Sequence, residues 1–347
     1  MRESGSSPGR KEAQSRVVVR LPNWVGDVVA SLPSLGLLLR VFDDVICVGP
    51  GFAPQLLPPQ IRTYFPVAGK WRELRALGEI PRTRFLILRS AFHSAFVGRC
   101  LGFSTAGHRK NLRSPWLAFG MDLPPATRKA ELLFSLTRGA LEHWGLDAAA
   151  TKADAVPRLP LTEEERREAR ERLAAVGLET GGFLVCCPLS AGKRKRPDWK
   201  RWQGFPGISE RLAREGIPHL ACPAPGQEEE SKARLPAALP MEGLNLRQLA
   251  AVMGESACVV SNDSGPMHLA AAVGARTVGI FGDTDPETYG AAGDRVTHLG
   301  CLGRWPRPEK VWEVVADILR EPAAEALDCL PRGAQLPPLE APVAARI

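Results

Sequence analysis

Val259-Val260-Ser261-Asn262-Asp263-Ser264-Gly265-Pro266-Met267-His268-Leu269-Ala270-Ala271-Ala272-Val273-Gly274 is the stretch that decides the architecture. Its β-branched start reads as a buried strand, Asn262 to Gly265 as a tight turn, and the remainder as a helix. Pro266 suits the first helical position, where its missing N–H would be unpaired anyway. Ser264 or Gly265 can cap the helix, and Gly274 suits the residue just past its end. A helix thus opens directly from the carboxyl end of a strand. Small residues there let a phosphate approach the free N–H groups from Ser264 to Met267, and the helix dipole favours its negative charge. The same dipole disfavours an imidazolium at His268, so without ligand the ring is expected to be neutral and able to donate one hydrogen bond. The plainer alternative is that Asp263 and Ser264 only cap the helix while His268 packs. Asp263 reads as a backbone anchor for the turn rather than as acid–base machinery.

Outward from this unit, short Val/Ile/Leu-rich runs alternate with helical patterns. They are Val17 to Leu21, Val45 to Val48, Phe85 to Leu88, Phe183 to Cys187, His219 to Cys222, Val259 to Ser261 and Thr277 to Phe281. Such spacing predicts βαβ units, parallel sheets and helices on both faces. With 347 residues the chain has room for two such domains. The charged segment Leu161 to Val176, opened by Thr162-Glu163-Glu164-Glu165, reads as a capped helix at the boundary. We therefore expect an α/β chain of two Rossmann-like domains, 16–175 and 180–321, between a disordered tail at 1–15 and a Pro/Ala-rich tail at 322–347. In doubly wound sheets ligands bind beyond the carboxyl ends of the strands, so the loops after Leu21, Leu88, Cys187, Ser261 and Phe281 should carry the chemistry.

The first of these loops is Pro22-Asn23-Trp24-Val25-Gly26-Asp27. Gly26 lets the backbone turn closely and leaves Asp27 at the mouth of the next helix. Asp27 is either a helix cap or a carboxylate in an interdomain cleft that takes a proton from an acceptor hydroxyl. A helix begun at Asp27 must kink at Pro33 or restart near Ser31. The loop after Cys187 runs Pro188-Leu189-Ser190-Ala191-Gly192-Lys193-Arg194-Lys195-Arg196-Pro197-Asp198-Trp199, and one or two of its cations could neutralise a leaving diphosphate. Asp283-Thr284-Asp285 imitates a metal-binding D-x-D. Asp285-Pro286 instead looks like an N-cap followed by proline at N1, with Thr284 free to contact phosphate, so no metal is expected. Ser90 and His93 follow another strand end and could face an anionic acceptor.

Composition narrows the setting. Hydrophobic residues make up 44% of the chain, enough for a core in each domain. The eight cysteines include no C-x-x-C pair, and Cys47, Cys186, Cys187, Cys222 and Cys258 sit in apolar runs, the pattern of reduced, packed thiols. The first residues lack the apolar stretch of a secretory signal, and Val28 to Leu39 is too short to span a bilayer, so the expected location is cytoplasmic. A net charge of +7 suggests an anionic partner. Nucleic acid is disfavoured because the basic residues have no interleaved aromatic platform. The first strand is not followed by G-x-G-x-x-G, which argues against a nicotinamide oxidoreductase.

Pro22 to Asp27 together with Asn262 to Ala272 resembles the signatures of the lipopolysaccharide heptosyltransferases, glycosyltransferase family 9, and the likeness spans about residues 16 to 320. The resemblance implies a GT-B fold, ADP-L-glycero-D-manno-heptose as donor, a lipid-linked, anionic lipopolysaccharide core acceptor, inversion at the anomeric carbon, and neither metal nor cofactor. In that picture the protein works at most peripherally on the cytoplasmic face of the inner membrane. Asp27 is the general base. The donor set is Ser190, Lys193, Lys195, Asp263, Ser264, Gly265, Met267, His268 and Thr284, and the acceptor set Asn23, Trp24, Gly26, Ser90 and His93. The family pattern P-G-x-x-x-x-x-K-x-W-P is not followed closely, since Leu189 replaces the glycine and no Trp-Pro follows Lys193 to Lys195. Two other readings are a transferase using a different nucleotide sugar and a non-catalytic nucleotide-sugar-binding scaffold.

Overall fold

The computed structural model describes residues 15–147, 149, 152–190 and 199–320. Lys193 and Lys195 lie outside the described residues, as do both expected tails apart from Ser15.

Two six-stranded parallel sheets form the frame, in orders β3-β2-β1-β4-β5-β6 and β12-β11-β10-β7-β8-β9. The first comprises β1 (Arg16–Arg20), β2 (Asp44–Gly49), β3 (Thr63–Pro66), β4 (Arg84–Ile87), β5 (Ser104–His108) and β6 (Phe119–Met121). The second comprises β7 (Leu184–Cys187), β8 (His219–Ala221), β9 (Leu239–Pro240), β10 (Cys258–Asn262), β11 (Thr277–Ile280) and β12 (Val296–Leu299). Val17, Val18 and Val19 of β1 are all fully buried, as a central strand covered on both faces requires. Each sheet reverses its winding once, between β1 and β4 and between β7 and β10. Those switch points open the crevices where ligands bind.

The helices are α1 (Val25–Val41), α2 (Lys70–Glu79), α3 (Phe92–Cys100), α4 (Lys129–His143), α5 (Glu163–Ala175), α6 (Phe205–Arg214), α7 (Glu228–Arg234), α8 (Leu246–Gly254), α9 (Gly265–Ala272), α10 (Pro286–Tyr289) and α11 (Pro308–Arg320). The central one is α1, buried along most of its length against α4 and α9. It runs as one helix through Pro33, so of the two expected outcomes the restart near Ser31 does not occur. Packing on both sides holds it, and the Ser31 hydroxyl donates to the Val28 carbonyl at 2.6 Å, one turn ahead of the proline. An apolar cluster continues from β1 and α1 into α8 and α9, so the two halves share part of one core.

The capped helix at 161–176 forms as α5, with a reciprocal Thr162–Glu165 capping box. Its contacts depart from the expected boundary. Its few buried side chains, Ala169 and Leu173, belong to the core shared with α8, and Glu165 pairs with Arg247 at the start of that helix. Placing the boundary at 175 thus gives the first domain a helix that packs on the second.

Candidate active site

The carboxyl ends of β1 and of β7 and β10 face a common cleft of about 790 Å³. Trp24, Val25, Gly26 and Asp27 form its wall on one side, and Lys200, Asp263 to Pro266 and His268 form it on the other. Two glycines bring the walls together. A Cβ on Gly26 would lie 2.7 Å from Cδ2 of His268, and one on Gly265 would lie 2.9 Å from Cβ of Val25. The N-termini of α1 and α9 therefore touch, and both dipoles point their positive ends into the same space. Farther along the cleft, Gln55 Oε1 accepts from the amide of Leu246, tying the two halves at the start of α8.

Asp27 is not a cap. The N-cap of α1 is Trp24, which makes no side-chain cap bond, and Asp27 stands three residues further in, in the first turn. Its carboxylate is half-buried and has no hydrogen-bond or ion-pair partner among the described residues. It remains an acceptor with free lone pairs on the cleft wall, where the helix dipole favours its charge.

On α9, Ser264 is the N-cap without a side-chain cap bond, and its hydroxyl instead meets that of Ser261 at 3.1 Å. The first-turn amides are thus not consumed by a capping side chain. At the other end, Gly274 has φ +81°, and the amides of Gly274 and Ala275 return to the carbonyls of Ala271 and Ala270, closing the helix in a Schellman motif. Burial pushes the His268 imidazole below its ordinary pKa, Asp263 and Asp27 pull it partly back, and Lys200 adds to the depression. The ring is therefore neutral at pH 7, with burial the largest of these causes.

Asp263 is buried and works as an anchor. Its Oδ2 accepts from the Thr284 hydroxyl at 2.6 Å and forms an ion pair with the ammonium of Lys200. That lysine lies beyond the stretch on which sequence reading concentrated. Its ammonium sits 4.9 Å from the ring centre of Trp199 and 5.2 Å from that of Tyr289. Its backbone has φ +60°, and its amide donates to Asp283 Oδ2 at 2.8 Å. Asn262 completes the clamp: its Nδ2 donates to the Pro188 carbonyl, and its Oδ1 accepts from the Trp202 amide, pinning both ends of the loop. A signal was present, since Lys200-Arg201-Trp202 carries the K-x-W spacing of the family pattern after a longer loop.

The other expected contacts divide. Trp24, half exposed, lines the cleft, as do Gly26, Ser264 and Gly265. Thr284 does not line it, because its hydroxyl is committed to Asp263. Met267 turns its side chain into a small core with Phe281 and Ala291, leaving only its backbone near the helix start. Ser190 is buried and donates to the Trp199 carbonyl at 3.2 Å. Asn23 accepts from Arg20, whose guanidinium is buried beside Glu73. Ser90 and His93 are held by Asn111 and Lys70, outside the cleft lining. Asp285 caps α10 by accepting from the amide of Glu287, with Pro286 at N1, as expected.

The Gly26–His268 contact makes a direct prediction. Gly26→Ala must displace the imidazole or part the two helices, so it should lower stability by about 1–3 kcal/mol, the usual result of overpacking. Gly36→Ala, in the same helix with nothing within 4 Å of its Cβ, should instead stabilise by up to about 1 kcal/mol. Chemical denaturation of the two variants distinguishes them, and equal effects would contradict the close approach.

The sequence matches glycosyltransferase family 9 (heptosyltransferase) over residues 71–317, well over half of the chain. Among curated proteins none is detectably similar in sequence. The fold is similar to the Escherichia coli ADP-heptose lipopolysaccharide heptosyltransferase II, with TM-score 0.68 and 20% identity over 88% of this chain and 98% of that one. It is also similar to a family 9 glycosyltransferase of Veillonella parvula, with TM-score 0.67 and 20% identity over 88% and 89%. A third structure, E. coli heptosyltransferase WaaC with ADP, gives TM-score 0.66 and 19% identity over 87% and 99%.

Proposed function

Because this chain belongs to glycosyltransferase family 9, we propose that it transfers heptose from an ADP-activated donor to a hydroxyl of the lipopolysaccharide inner core, with inversion. The observation that carries this reading is the placement of Asp27, a carboxylate without a partner among the described residues, across one cleft from the open start of α9 and from Lys200. Asp27 takes the proton of the acceptor hydroxyl as its oxygen bonds to the anomeric carbon. The bond from that carbon to the diphosphate oxygen breaks on the opposite side, and ADP leaves with the electron pair.

The developing diphosphate charge is met by fixed groups. The amides at the start of α9 offer N–H donors without reorganisation, and Lys200 supplies a cation already oriented by Asp263 and two aromatic rings. Its ammonium has three donors, of which Asp263 needs one. A neutral His268 can donate a further hydrogen bond. No step needs a metal. Leu244, Leu246, Leu249 and Cys222 line a more apolar part of the cleft, suited to a nucleobase. The ADP and the ADP-2-deoxy-2-fluoro heptose of the WaaC structures support adenosine there.

Calorimetric titration with ADP-, GDP- and UDP-sugars, followed by mass spectrometry of a core acceptor, tests the reading. Binding confined to ADP-sugars and an acceptor heavier by one heptose are expected. Selective binding of another nucleotide sugar would replace the donor, and binding without transfer would favour a scaffold.

A further inference from the structure

The end of the cleft at α8 carries a hydrogen-bond donor that the transfer chemistry leaves unused. Gln55 closes a short 3₁₀ helix of the first domain, Ala53–Gln55. Ala53 and the following Leu56 are fully buried in the core, so the backbone is fixed while the Gln55 side chain stands exposed on the cleft wall. Facing it, α8 opens with Asn245 as N-cap in a reciprocal capping box. The Asn245 amide donates to Gln248 Oε1 at 3.1 Å, and the Gln248 amide to Asn245 Oδ1 at 3.0 Å. The Leu246 amide donates to Gln55 Oε1 at 2.8 Å, so a side chain of the first domain completes the cap of a helix in the second.

That bond fixes which way the Gln55 carboxamide faces. A backbone N–H can only donate, so Oε1 is the atom held against Leu246, and the Nε2 amino group is left as a donor. It has no partner among the described residues. Leu246 is also one of the residues, with Leu244, Leu249 and Cys222, that line the apolar part of the cleft suited to a nucleobase. An apolar slot of this kind draws its selectivity from a few placed polar groups. A donor of fixed orientation selects for an acceptor. On its Watson–Crick edge adenine presents the lone pair of ring nitrogen N1, where guanine carries an N–H that would leave both donors unpaired. With the diphosphate at the start of α9, that edge points away from the ribose, toward the start of α8.

We propose that Gln55 determines the nucleobase specificity of the donor site, its Nε2–H donating to N1 of adenine while Oε1 stays on the Leu246 amide. Recognition of the base then draws on both domains. The inference rests on the ADP-sugar reading and names a residue that makes the site selective.

The test is calorimetric titration of the full chain and of Gln55→Glu with ADP, with an ADP analogue carrying C–H in place of N1, and with GDP, alongside thermal melting. The glutamate keeps the length of the side chain and an oxygen for the Leu246 amide, and lacks the donor. The wild type should bind ADP about five- to tenfold more tightly than the analogue, the usual effect of one neutral hydrogen bond, and GDP more weakly than either. In Gln55→Glu, ADP should weaken by about the same factor and its advantage over the analogue should vanish, with melting unchanged. A merely structural role would weaken ADP and the analogue alike and preserve their ratio. Equal affinities in the wild type, or a preference for ADP that survives in Gln55→Glu, would overturn the proposal. Wild-type preference for GDP would overturn it together with the ADP-sugar reading. Discrimination lost in the variant as expected, but with no transfer to a core acceptor, would count against the transfer reading and not against Gln55.

Discussion

Asp27→Asn is expected to lower kcat by about 10²–10⁴ while leaving ADP-sugar affinity within about twofold, since a general base acts in the transition state and not on the bound donor. The substitution keeps the size of the side chain and removes its ability to take a proton. Asp27 makes no cap bond and no ion pair among the described residues, so stability should change little. A parallel fall in melting temperature would point to a structural role that the geometry does not show. Single-turnover rates alongside calorimetric titration separate chemistry from binding, and unchanged turnover would remove Asp27 from the mechanism.

Lys200→Ala should act on binding. Loss of a charge-assisted contact to the diphosphate is expected to weaken ADP about 10- to 100-fold, in line with roughly 1.5–3 kcal/mol for a hydrogen bond to a charged group. A second effect accompanies it, because Asp263 is buried and loses its cation, keeping the Thr284 hydroxyl as its side-chain partner among the described residues. A buried carboxylate without its partner is destabilising. Lys200→Ala with Asp263→Asn should therefore recover stability without recovering ADP affinity. Recovery of both would mean that Lys200 serves only to neutralise Asp263.

Much of the fold was legible because the central strands β1, β4, β7, β10 and β11 are continuous apolar runs, the mark of a parallel sheet covered on both faces. The unforeseen strands are of another kind. β3, β6 and β9 are short and incompletely buried, β5 reads Ser104-Thr105-Ala106-Gly107-His108, and β12 lies at a sheet edge. Neighbouring strands stabilise them more than their own residues do. At the site, Asp27 and the start of α9 could be found because turn chemistry is local. Lys200 could not be placed with the same ease: what fixes it is Asp263, Asp283 and the Asn262 clamp, all distant in sequence. Thr284 was misjudged, since an apparently free hydroxyl is taken by a buried carboxylate.

The crystal structure of the ADP complex tests the central claim most directly. The account predicts the diphosphate in hydrogen-bond reach of the Gly265 and Met267 amides and the Lys200 ammonium, its terminal phosphate on the side of the cleft where Asp27 stands. ADP bound outside the cleft, or with its phosphates turned away from Asp27, would contradict it.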